Sequence, residues 1–217
     1  MLLDTELSAR TFSTLDNAYR WIIPYVWTSG NWVKDERGNW TKEVQNLTFR
    51  LIGPGNDYPT LGPTTMRFGC DLGNSLIMAD VAQAKAREFA YSYGERLRRN
   101  GAYEKLIKKI RECPQSRRMV IPVFLPEDHD CDEVPCVVLV QFIVRNGCLN
   151  MTVVMRSNDL VKAMPADVLG YRMFQHHVAV IAGVKYGTYT HHVISAHIIA
   201  DHDQEFAEQL VSERAYK

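Results

Sequence analysis

Apolar residues recur at helical spacing in several segments of the chain. Tyr103, Leu106, Ile107 and Ile110 follow an i, i+3, i+4, i+7 pattern, which predicts a helix with one buried face. Four further helices are predicted: from a Ser13 cap towards Trp27, from Ser75 to Phe89, from Asp167 to Val184 with its end at Gly183, and from Asp201 to Glu213. Pro24 predicts a kink or an early end in the first of them, because proline lacks the backbone N–H that a helix interior uses.

Strand-like apolar runs lie between these helices. They cover residues 44–52, 119–124, 136–145, 148–156 and 189–200. Asn146 and Gly147 separate the third and fourth runs, and this dipeptide is a strong signal for a tight β-hairpin. Runs of strands with separate helices predict an α+β fold, in which helices pack on a mixed or mostly antiparallel sheet. Because the chain has no repeat or linker, we expect a single domain over residues 1–217.

The composition is that of an ordinary globular protein, and it argues against several functional classes. The 217 residues are 46% hydrophobic and carry 25 basic and 25 acidic side chains, so the formal net charge is zero. A dedicated nucleic-acid or membrane-surface binder would carry a basic excess, and we therefore expect neither partner. No apolar run approaches the ~20 residues of a membrane span. The five cysteines are an odd number without paired CxxC spacing, which indicates reduced thiols in the cytoplasm.

Cys136 and several basic residues are the first candidates for chemistry. Cys136 stands at the start of a buried-looking strand and is either a small core residue or a nucleophile whose thiolate nearby cations would favour. Arg117 and Arg118 precede one strand, and Arg156 and Ser157 follow another. Arginine forks with a serine hydroxyl suit a phosphate group, although a solvated surface pair is the simpler interpretation of Arg117 and Arg118.

Six of the seven histidines lie between residues 176 and 202. His176–His177 and His191–His192 are adjacent pairs, whose side chains point apart on a helix or to opposite faces of a strand. No HExxH spacing occurs, so a zinc site is not favoured, and a metal-dependent hydrolase that uses this cluster stays an alternative. The chain also has no GxGxxG or GxxxxGK[ST] loop, which argues against a dinucleotide or nucleoside triphosphate ligand.

Five motifs follow one another between residues 91 and 198. They are YSYGERL (91–97), PQSRRMVIPVF (114–124), VPC (134–136), QFIVRNGCLNMTVVMRSND (141–159) and YTHHVISAHI (189–198). The intervals from Cys136 to Arg156, from Arg156 to Asp167 and from Asp167 to His197 are 20, 11 and 30 residues. In order and spacing the chain, from about residue 35 to 203, resembles the thymidylate synthase superfamily. It is most similar to the short archaeal-type members and the phage deoxycytidylate hydroxymethylases.

The resemblance implies a thymidylate synthase-like fold, an obligate homodimer and a set of roles for individual residues. Cys136 matches the nucleophile that adds to C6 of a pyrimidine nucleotide. Arg156 and Ser157 match ligands of the nucleotide phosphate, and Arg117 and Arg118 match an arginine pair that is donated from the partner subunit. The nucleoside monophosphate and a folate are the implied partners, and 5,10-methylenetetrahydrofolate is the implied one-carbon donor.

Five more residues receive roles from the resemblance. Arg37, in the segment DERGNWT, matches a mobile phosphate-binding arginine, and Tyr93 matches the active-site tyrosine. Asn158 belongs to the nucleotide-binding RSND motif, and Asp159 matches an aspartate close to the folate and the ring. His197 matches a ligand of the sugar hydroxyl.

The chain departs from the family pattern at three places. The thymidylate-making members carry Asn where this chain has Asp167. An amide reads the uracil edge, whereas a carboxylate accepts from the cytosine amino group, so Asp at this position implies action on cytidylate. Ile199 replaces a tyrosine that helps to hold the ribose. The family's glutamate on an early helix has no clear counterpart, and Asp80 and Glu88 are the candidates.

The expected activity is hydroxymethylation at C5 of a cytosine nucleotide, dCMP or CMP. Cys136 attacks C6, Asp167 holds the charge that develops at the C4–N3 edge, and C5 then takes up the one-carbon unit. Water at the resulting exocyclic methylene gives the hydroxymethyl product, whereas hydride would give a methyl product and dihydrofolate. The alternatives are a dCMP methyltransferase, a thymidylate synthase acting on dUMP, and a non-catalytic nucleotide-binding protein on the same fold.

Overall fold

Seven strands and five α-helices make up the described part of the chain, which in this computed structural model comprises residues 9–53, 77 and 91–215. The strands are β1 (Arg10–Phe12), β2 (Asn31–Lys34), β3 (Trp40–Leu51), β4 (Met119–Pro122), β5 (Val137–Arg145), β6 (Cys148–Asp159) and β7 (Lys185–Ile199). The helices are α1 (Leu15–Ser29), α2 (Tyr93–Arg98), α3 (Ala102–Glu112), α4 (Met164–Ala182) and α5 (Ala200–Ala215). Two short 3-10 helices cover Arg99–Gly101 and Pro126–Asp130.

The strands form one mixed sheet in the order β1-β3-β7-β6-β5-β4, with β2 paired to β3. β6 runs parallel to β7 and β1 runs parallel to β3, while the other neighbours are antiparallel. Helices α1 and α4 bury apolar faces in a core that includes the inward residues of β3, β6 and β7. This arrangement confirms the predicted α+β fold with a mixed sheet.

The predicted hairpin between the third and fourth apolar runs is confirmed. Asn146 and Gly147 connect β5 to β6 with φ angles of 53° and 73°, which both lie in the left-handed region. Glycine reaches this region without strain and asparagine reaches it more easily than most residues, so the dipeptide fits a turn that needs two positive φ angles. Across the turn, Arg145 pairs with Cys148.

The predictions for the buried face of α3 and for the end of α4 are confirmed. Leu106, Ile107 and Ile110 are buried on α3, as the spacing predicts. α4 ends at Gly183, whose φ of 75° and N–H bonds to Ala179 and Val180 carbonyls cap the helix. The prediction that α4 begins at Asp167 is wrong, because the helix begins at Met164. Pro165 in the next position is compatible with a first turn, where the missing N–H costs nothing.

The first helix differs from its prediction at both ends. Thr14, not Ser13, is the N-cap, and its side-chain oxygen accepts from the Asn17 N–H at 3.1 Å. Pro24 does not end the helix, which continues to Ser29. The buried apolar face of α1 outweighs the single hydrogen bond that proline cannot make, because each large buried side chain contributes about 1.5–3 kcal/mol. That face comprises Leu15, Ala18, Tyr19, Ile22, Ile23 and Val26.

One predicted helix lies almost entirely outside the described residues. The predicted helix from Ser75 to Phe89 and its acidic residues Asp80 and Glu88 lie outside the described residues, except that Ile77 is helical and fully buried. Among the described helices, none is long and apolar enough to span a bilayer.

Candidate active site

Cys136 immediately precedes β5 and is held against the end of β6 by Arg156. The Arg156 N–H donates to the Cys136 carbonyl at 2.7 Å, so the two residues lie opposite each other across the strands. The Arg156 guanidinium donates from Nε to the Pro135 carbonyl at 3.0 Å and from Nη2 to the Val134 carbonyl at 3.1 Å. Its Nη2 lies 3.9 Å from Cys136 Sγ. Arg156 therefore fixes the turn that presents the thiol and places a positive charge beside it.

Opposing effects act on the Cys136 thiol. Burial raises its pKa above the ordinary value, while the charge of Arg156 acts to lower it. Asp167 adds to the increase and Arg37 acts against it, and the net change is upward. The two arginines thus lower the pKa of the thiol, as expected, but desolvation raises it by more.

Arg37 lies in the turn between β2 and β3, within electrostatic range of Cys136. Asp35 shapes this turn by accepting from the Arg37 N–H at 3.0 Å and from the Asn39 N–H at 2.7 Å. Gly38 has a φ of 89°, which lets the chain reverse at this point. The exposed Arg37 side chain is therefore carried on a hydrogen-bonded turn within electrostatic range of the cysteine.

Asp167 lies in the first turn of α4, and its carboxyl group is next to the end of β6. Asn158 Nδ2 donates to Asp167 Oδ2 at 2.8 Å. The residue keeps a partly exposed edge, yet protein atoms surround most of its carboxyl group, and this burial raises the pKa of Asp167 to about 7. The bond from Asn158 acts to lower this pKa, and the nearby charge of Asp159 acts to raise it. Asp167 can therefore exchange a proton near neutral pH.

Tyr93 begins α2 and lies within electrostatic range of both Cys136 and Asp167. Ser92 caps the helix by accepting from the Glu95 N–H at 3.0 Å. Burial raises the pKa of Tyr93 well above its usual range, and the charges of Asp167, Tyr171, Tyr91 and Cys136 add to the effect. The Tyr93 hydroxyl therefore stays protonated and can donate a hydrogen bond in the site.

The carboxyl ends of β6 and β7 place three more predicted residues together. Asp159 pairs with His197 and Ser157 pairs with Ser195, because the two strands are parallel. Asp159 Oδ1 accepts from the N–H groups of Val161 and Lys162 at 3.0 and 3.1 Å, which fixes its carboxylate. The His197 Nδ1 lies 3.4 Å from the Ser195 carbonyl, to which it can donate.

Arg117 and Arg118 are not brought to Cys136 within one chain. They precede β4, whose first residue Met119 pairs with Phe142 on β5. Cys136 stands at the opposite end of β5, which at the rise of a strand separates it from the pair by about 20 Å. Both arginines are exposed, and the Arg118 N–H donates to Ser116 Oγ at 3.1 Å.

Comparisons with known proteins agree with the motifs and with this geometry. The family model described as thymidylate synthase matches residues 75–216, more than half of the chain. The chain belongs to the thymidylate synthase family. It is 31% identical over 191 residues to a Methanosarcina mazei protein named "Putative thymidylate synthase", with 86% of each chain covered. Proteins of the same name from Methanocaldococcus jannaschii and Methanococcoides burtonii are 30% and 31% identical, and cover 91% and 94% of this chain and 93% and 94% of their own.

Membership of the thymidylate synthase family defines the general chemistry. The family transfers one-carbon units to nucleotides and uses methylenetetrahydrofolate as the donor. Within residues 9–53, 77 and 91–215, no group of three or more His, Cys, Asp or Glu side chains is arranged to hold a metal ion. The clustered histidines have other contacts: His192 Nδ1 lies 2.7 Å from Thr48 Oγ1, and His177 stacks on Tyr103.

Three residues at this thymidylate synthase family site were missed by the sequence reasoning. Tyr91 contacts Tyr93 at a ring distance of 5.6 Å, and it lies within electrostatic range of Cys136 and Asp167. His191 and Tyr189 are fully buried behind Asn158, and His191 Nε2 lies 3.1 Å from Asn158 Oδ1. The period-two alternation of β7 places Tyr189 and His191 on one face, but the strand register is needed to bring them to Asn158.

Proposed function

We propose that this thymidylate synthase family member hydroxymethylates C5 of a cytosine nucleotide, dCMP or CMP, with methylenetetrahydrofolate as the one-carbon donor. The observation that carries the proposal is Asp167, a carboxyl group with a pKa of about 7 that is hydrogen-bonded by Asn158. A carboxyl group that exchanges a proton near neutral pH can accept from the cytosine amino group and share a proton with N3. An amide, which uracil-specific members carry here, matches the reverse pattern of donors and acceptors.

Cys136 is the proposed nucleophile, and it adds through sulfur to C6 of the pyrimidine ring. The turn that Arg156 stabilises presents the thiol, and its charge favours the thiolate as the proton leaves. Arg156, Ser157 and Arg37 bind the nucleotide, with the arginines on its phosphate, and Asn158 acts on the base through Asp167. Arg117 and Arg118 of the partner subunit complete the phosphate site. This set requires a homodimer.

Addition at C6 moves negative charge onto the N3–C4 edge of the ring. Asp167 in its protonated form neutralises that charge by giving a proton to N3, and C5 becomes nucleophilic as a result. The Tyr93 hydroxyl, which burial keeps protonated, supplies a further donor in the same space.

Asp159 is the proposed contact for the folate. Backbone N–H groups hold its Oδ1, which leaves Oδ2 directed to accept from the N–H groups that a pterin ring presents. When bound, methylenetetrahydrofolate supplies the carbon that becomes bonded to C5. Loss of the C5 proton together with release of tetrahydrofolate then leaves an exocyclic methylene on the nucleotide, to which water adds before Cys136 is released.

Thymidylate synthesis from dUMP is the second candidate function. The names of the archaeal relatives favour it, and the Asn-to-Asp difference at Asp167 opposes it. In that reaction hydride replaces water, so the product carries a methyl group and dihydrofolate is released. Ile199 cannot donate to a ribose hydroxyl, so His197 is the residue we expect to contact the sugar of either nucleotide.

Product analysis tests the proposal. The protein is incubated with dCMP, CMP or dUMP and methylenetetrahydrofolate, and each product nucleotide is weighed by mass spectrometry while dihydrofolate is followed by absorbance. A hydroxymethyl gain on a cytosine nucleotide without dihydrofolate is the expected result. A methyl gain with dihydrofolate would identify a methyltransferase, and turnover of dUMP alone would overturn the base assignment.

The same assay separates an enzyme from a nucleotide-binding protein. Cys136→Ser should abolish turnover and leave nucleotide binding largely intact, because the phosphate ligands are unchanged. Cys148→Ser, at the hairpin end of β6 and about 26 Å along the strand from Arg156, is the matched control and should retain wild-type turnover. Wild-type protein that binds nucleotide but forms no product would support the non-catalytic alternative.

A further inference from the structure

Four side chains form a single hydrogen-bonded chain that ends on Asp167. The Tyr189 hydroxyl lies 2.8 Å from His191 Nδ1, and His191 Nε2 lies 3.1 Å from Asn158 Oδ1. Asn158 Nδ2 then donates to Asp167 Oδ2 at 2.8 Å. Tyr189 and His191 are fully buried and Asn158 is 2% exposed. Water therefore has little access to the three groups behind the carboxyl.

With the Asn158 amide N–H towards Asp167, as the structure has it, the donors and acceptors of these four side chains fit together in one direction. Asn158 gives its amide N–H to the carboxyl group, so its Oδ1 faces His191 and must accept a hydrogen bond. His191 Nε2 therefore carries a hydrogen. Burial lowers the pKa of His191 to about 3, so the ring is neutral and Nδ1 is an acceptor. The Tyr189 hydroxyl supplies the hydrogen that Nδ1 accepts.

This direction makes the two oxygens of Asp167 unequal. Oδ2 receives the Asn158 N–H, and a carbonyl oxygen accepts a hydrogen bond better than a hydroxyl oxygen does. When Asp167 binds a proton, the proton therefore resides on Oδ1, and Oδ2 is the carbonyl oxygen. The titratable groups around the carboxyl are Cys136, Asp159 and the tyrosines Tyr91, Tyr93, Tyr171 and Tyr189.

We propose that Tyr189, His191 and Asn158 are positioning residues that hold the Asp167 proton on Oδ1, and that this asymmetry makes the site select cytosine over uracil. Cytosine presents an acceptor at N3 and a donor at C4, and uracil presents the reverse. An acid with its O–H towards N3 and its carbonyl towards C4 matches cytosine at both points. The same acid meets uracil with like groups at both points, which costs affinity. The inference rests on the proposed function, because it assigns the base preference of that site.

The test compares discrimination between dCMP and dUMP in variants of the chain. His191→Phe keeps an aromatic ring but removes both bonds, so Asn158 can rotate and the proton can occupy either oxygen. The ratio of the dUMP and dCMP dissociation constants, measured by calorimetry, should fall by about tenfold. Tyr189→Phe removes only the hydroxyl and should lower the ratio by about threefold. Because Tyr189→Phe is the milder change, it still tests the proposal if His191→Phe does not fold.

Two variants separate positioning from a general structural role. His191→Gln retains an N–H donor for Asn158 and should restore most of the ratio. His177→Phe makes the same chemical change ten positions beyond Asp167 on α4, where the ring stacks on Tyr103, and should leave the ratio unchanged. An equal loss of affinity for both nucleotides in His191→Phe, with an unchanged ratio, would overturn the proposal.

A spectroscopic measurement on the free protein is independent of the reaction. Nitrogen-15 NMR of His191 should show a neutral ring with the hydrogen on Nε2 at neutral pH, and the hydrogen on Nδ1 would overturn the proposed direction. If wild-type protein turns over no nucleotide, or prefers dUMP, the proposed function fails. A His191→Phe ratio closer to one would still support the positioning role, and an unchanged ratio would contradict it.

Discussion

Burial shifts the pKa of three site residues, upward in two of them and downward in the third. It raises the pKa of Asp167 to about 7, lowers that of His191 to about 3, and raises that of Cys136. Each change favours the uncharged form, as desolvation must. The reactive end of β6 therefore carries less charge than its residue types suggest.

Asp167→Asn should move the base preference towards uracil. An amide can accept from uracil N3–H and donate to O4, and it leaves the cytosine edge with mismatched groups. The ratio of kcat/KM for dCMP to that for dUMP should fall by about 100-fold or more. Asp159→Asn makes the same chemical change eight residues earlier and should lower both activities without changing the ratio. A ratio that stays constant in Asp167→Asn would show that the base is read by other residues.

Asp167 should also make the folded protein less stable as the pH rises. Its pKa is about 7 in the folded state and near 4 in the unfolded chain, so between these values the folded state binds the extra proton. The penalty is absent below the lower pKa and complete above the higher one. In urea unfolding, Asp167→Asn should therefore gain about 2 kcal/mol relative to wild type between about pH 4 and pH 8, after allowance for the partly exposed edge. A constant difference across this range would contradict the raised pKa.

Cys136 should alkylate with a pH midpoint above that of free cysteine. The thiolate is the reacting form, and burial raises the pKa of this thiol despite Arg156. Iodoacetamide labelling, read for the Cys136 peptide by mass spectrometry, gives the midpoint regardless of how accessible the sulfur is. Arg156→Gln should move the midpoint upward, whereas Arg156→Lys, which keeps the charge, should move it less. A midpoint below that of free cysteine would show that the arginines outweigh burial.

Residue patterns locate much of this site but not the groups behind it. Cys136, Arg156 and Asp167 could be named from the motifs, and the structure brings all three to the end of β6. His191 and Tyr189 carry no local signal, because a histidine on a strand is compatible with any of several partners. Their role depends on Asn158, about thirty residues away, which only the β6–β7 register reveals.

Among the helices and strands, local sequence signals correctly predict two features that backbone geometry alone decides. The turn at Asn146-Gly147 and the helix end at Gly183 need positive φ angles, and sequence alone indicates both. The parallel pairing of β6 with β7 could not be predicted, because it depends on α4 crossing between the two strands and packing against them. α1 shows the converse case, in which a buried face overrides a local breaker.

Pro24→Ala should stabilise the protein. Proline in a helix interior costs about 3 kcal/mol relative to alanine, and the alanine would supply the missing N–H. Loss of buried ring carbons offsets about 1.5 kcal/mol of this gain, so the free energy of unfolding should rise by about 1.5 kcal/mol. Thermal unfolding measures the change. Pro114→Ala, in the exposed loop after α3, is the matched control and should not stabilise. A lower midpoint for Pro24→Ala would show that packing of the proline ring stabilises the protein more than the helix hydrogen bond that proline cannot make.

At the scale of the whole molecule, zero net charge coexists with an uneven distribution of arginines. Arg156 and Arg37 lie near Cys136, while the exposed pair Arg117 and Arg118 lies at the far end of β5. The pair makes no contact with the described parts of its own site, and the family resemblance assigns it to a neighbour. Its placement is consistent with a two-fold dimer, in which each subunit donates its arginine pair to the site of the other subunit and accepts the same pair in return.

Subunit complementation tests this arrangement. Cys136→Ser and Arg118→Gln should each damage a site, but in a mixed dimer one site would combine an intact Cys136 with an intact Arg118 from the partner subunit. Random mixing makes half of the dimers mixed, so two weakly active proteins should together recover about a quarter of wild-type activity. Cys136→Ser mixed with Arg156→Gln is the control, because both residues serve the site of their own chain and no intact site can form. Mixed dimers that are detected by native mass spectrometry but show no recovery would mean that Arg118 does not act across the interface.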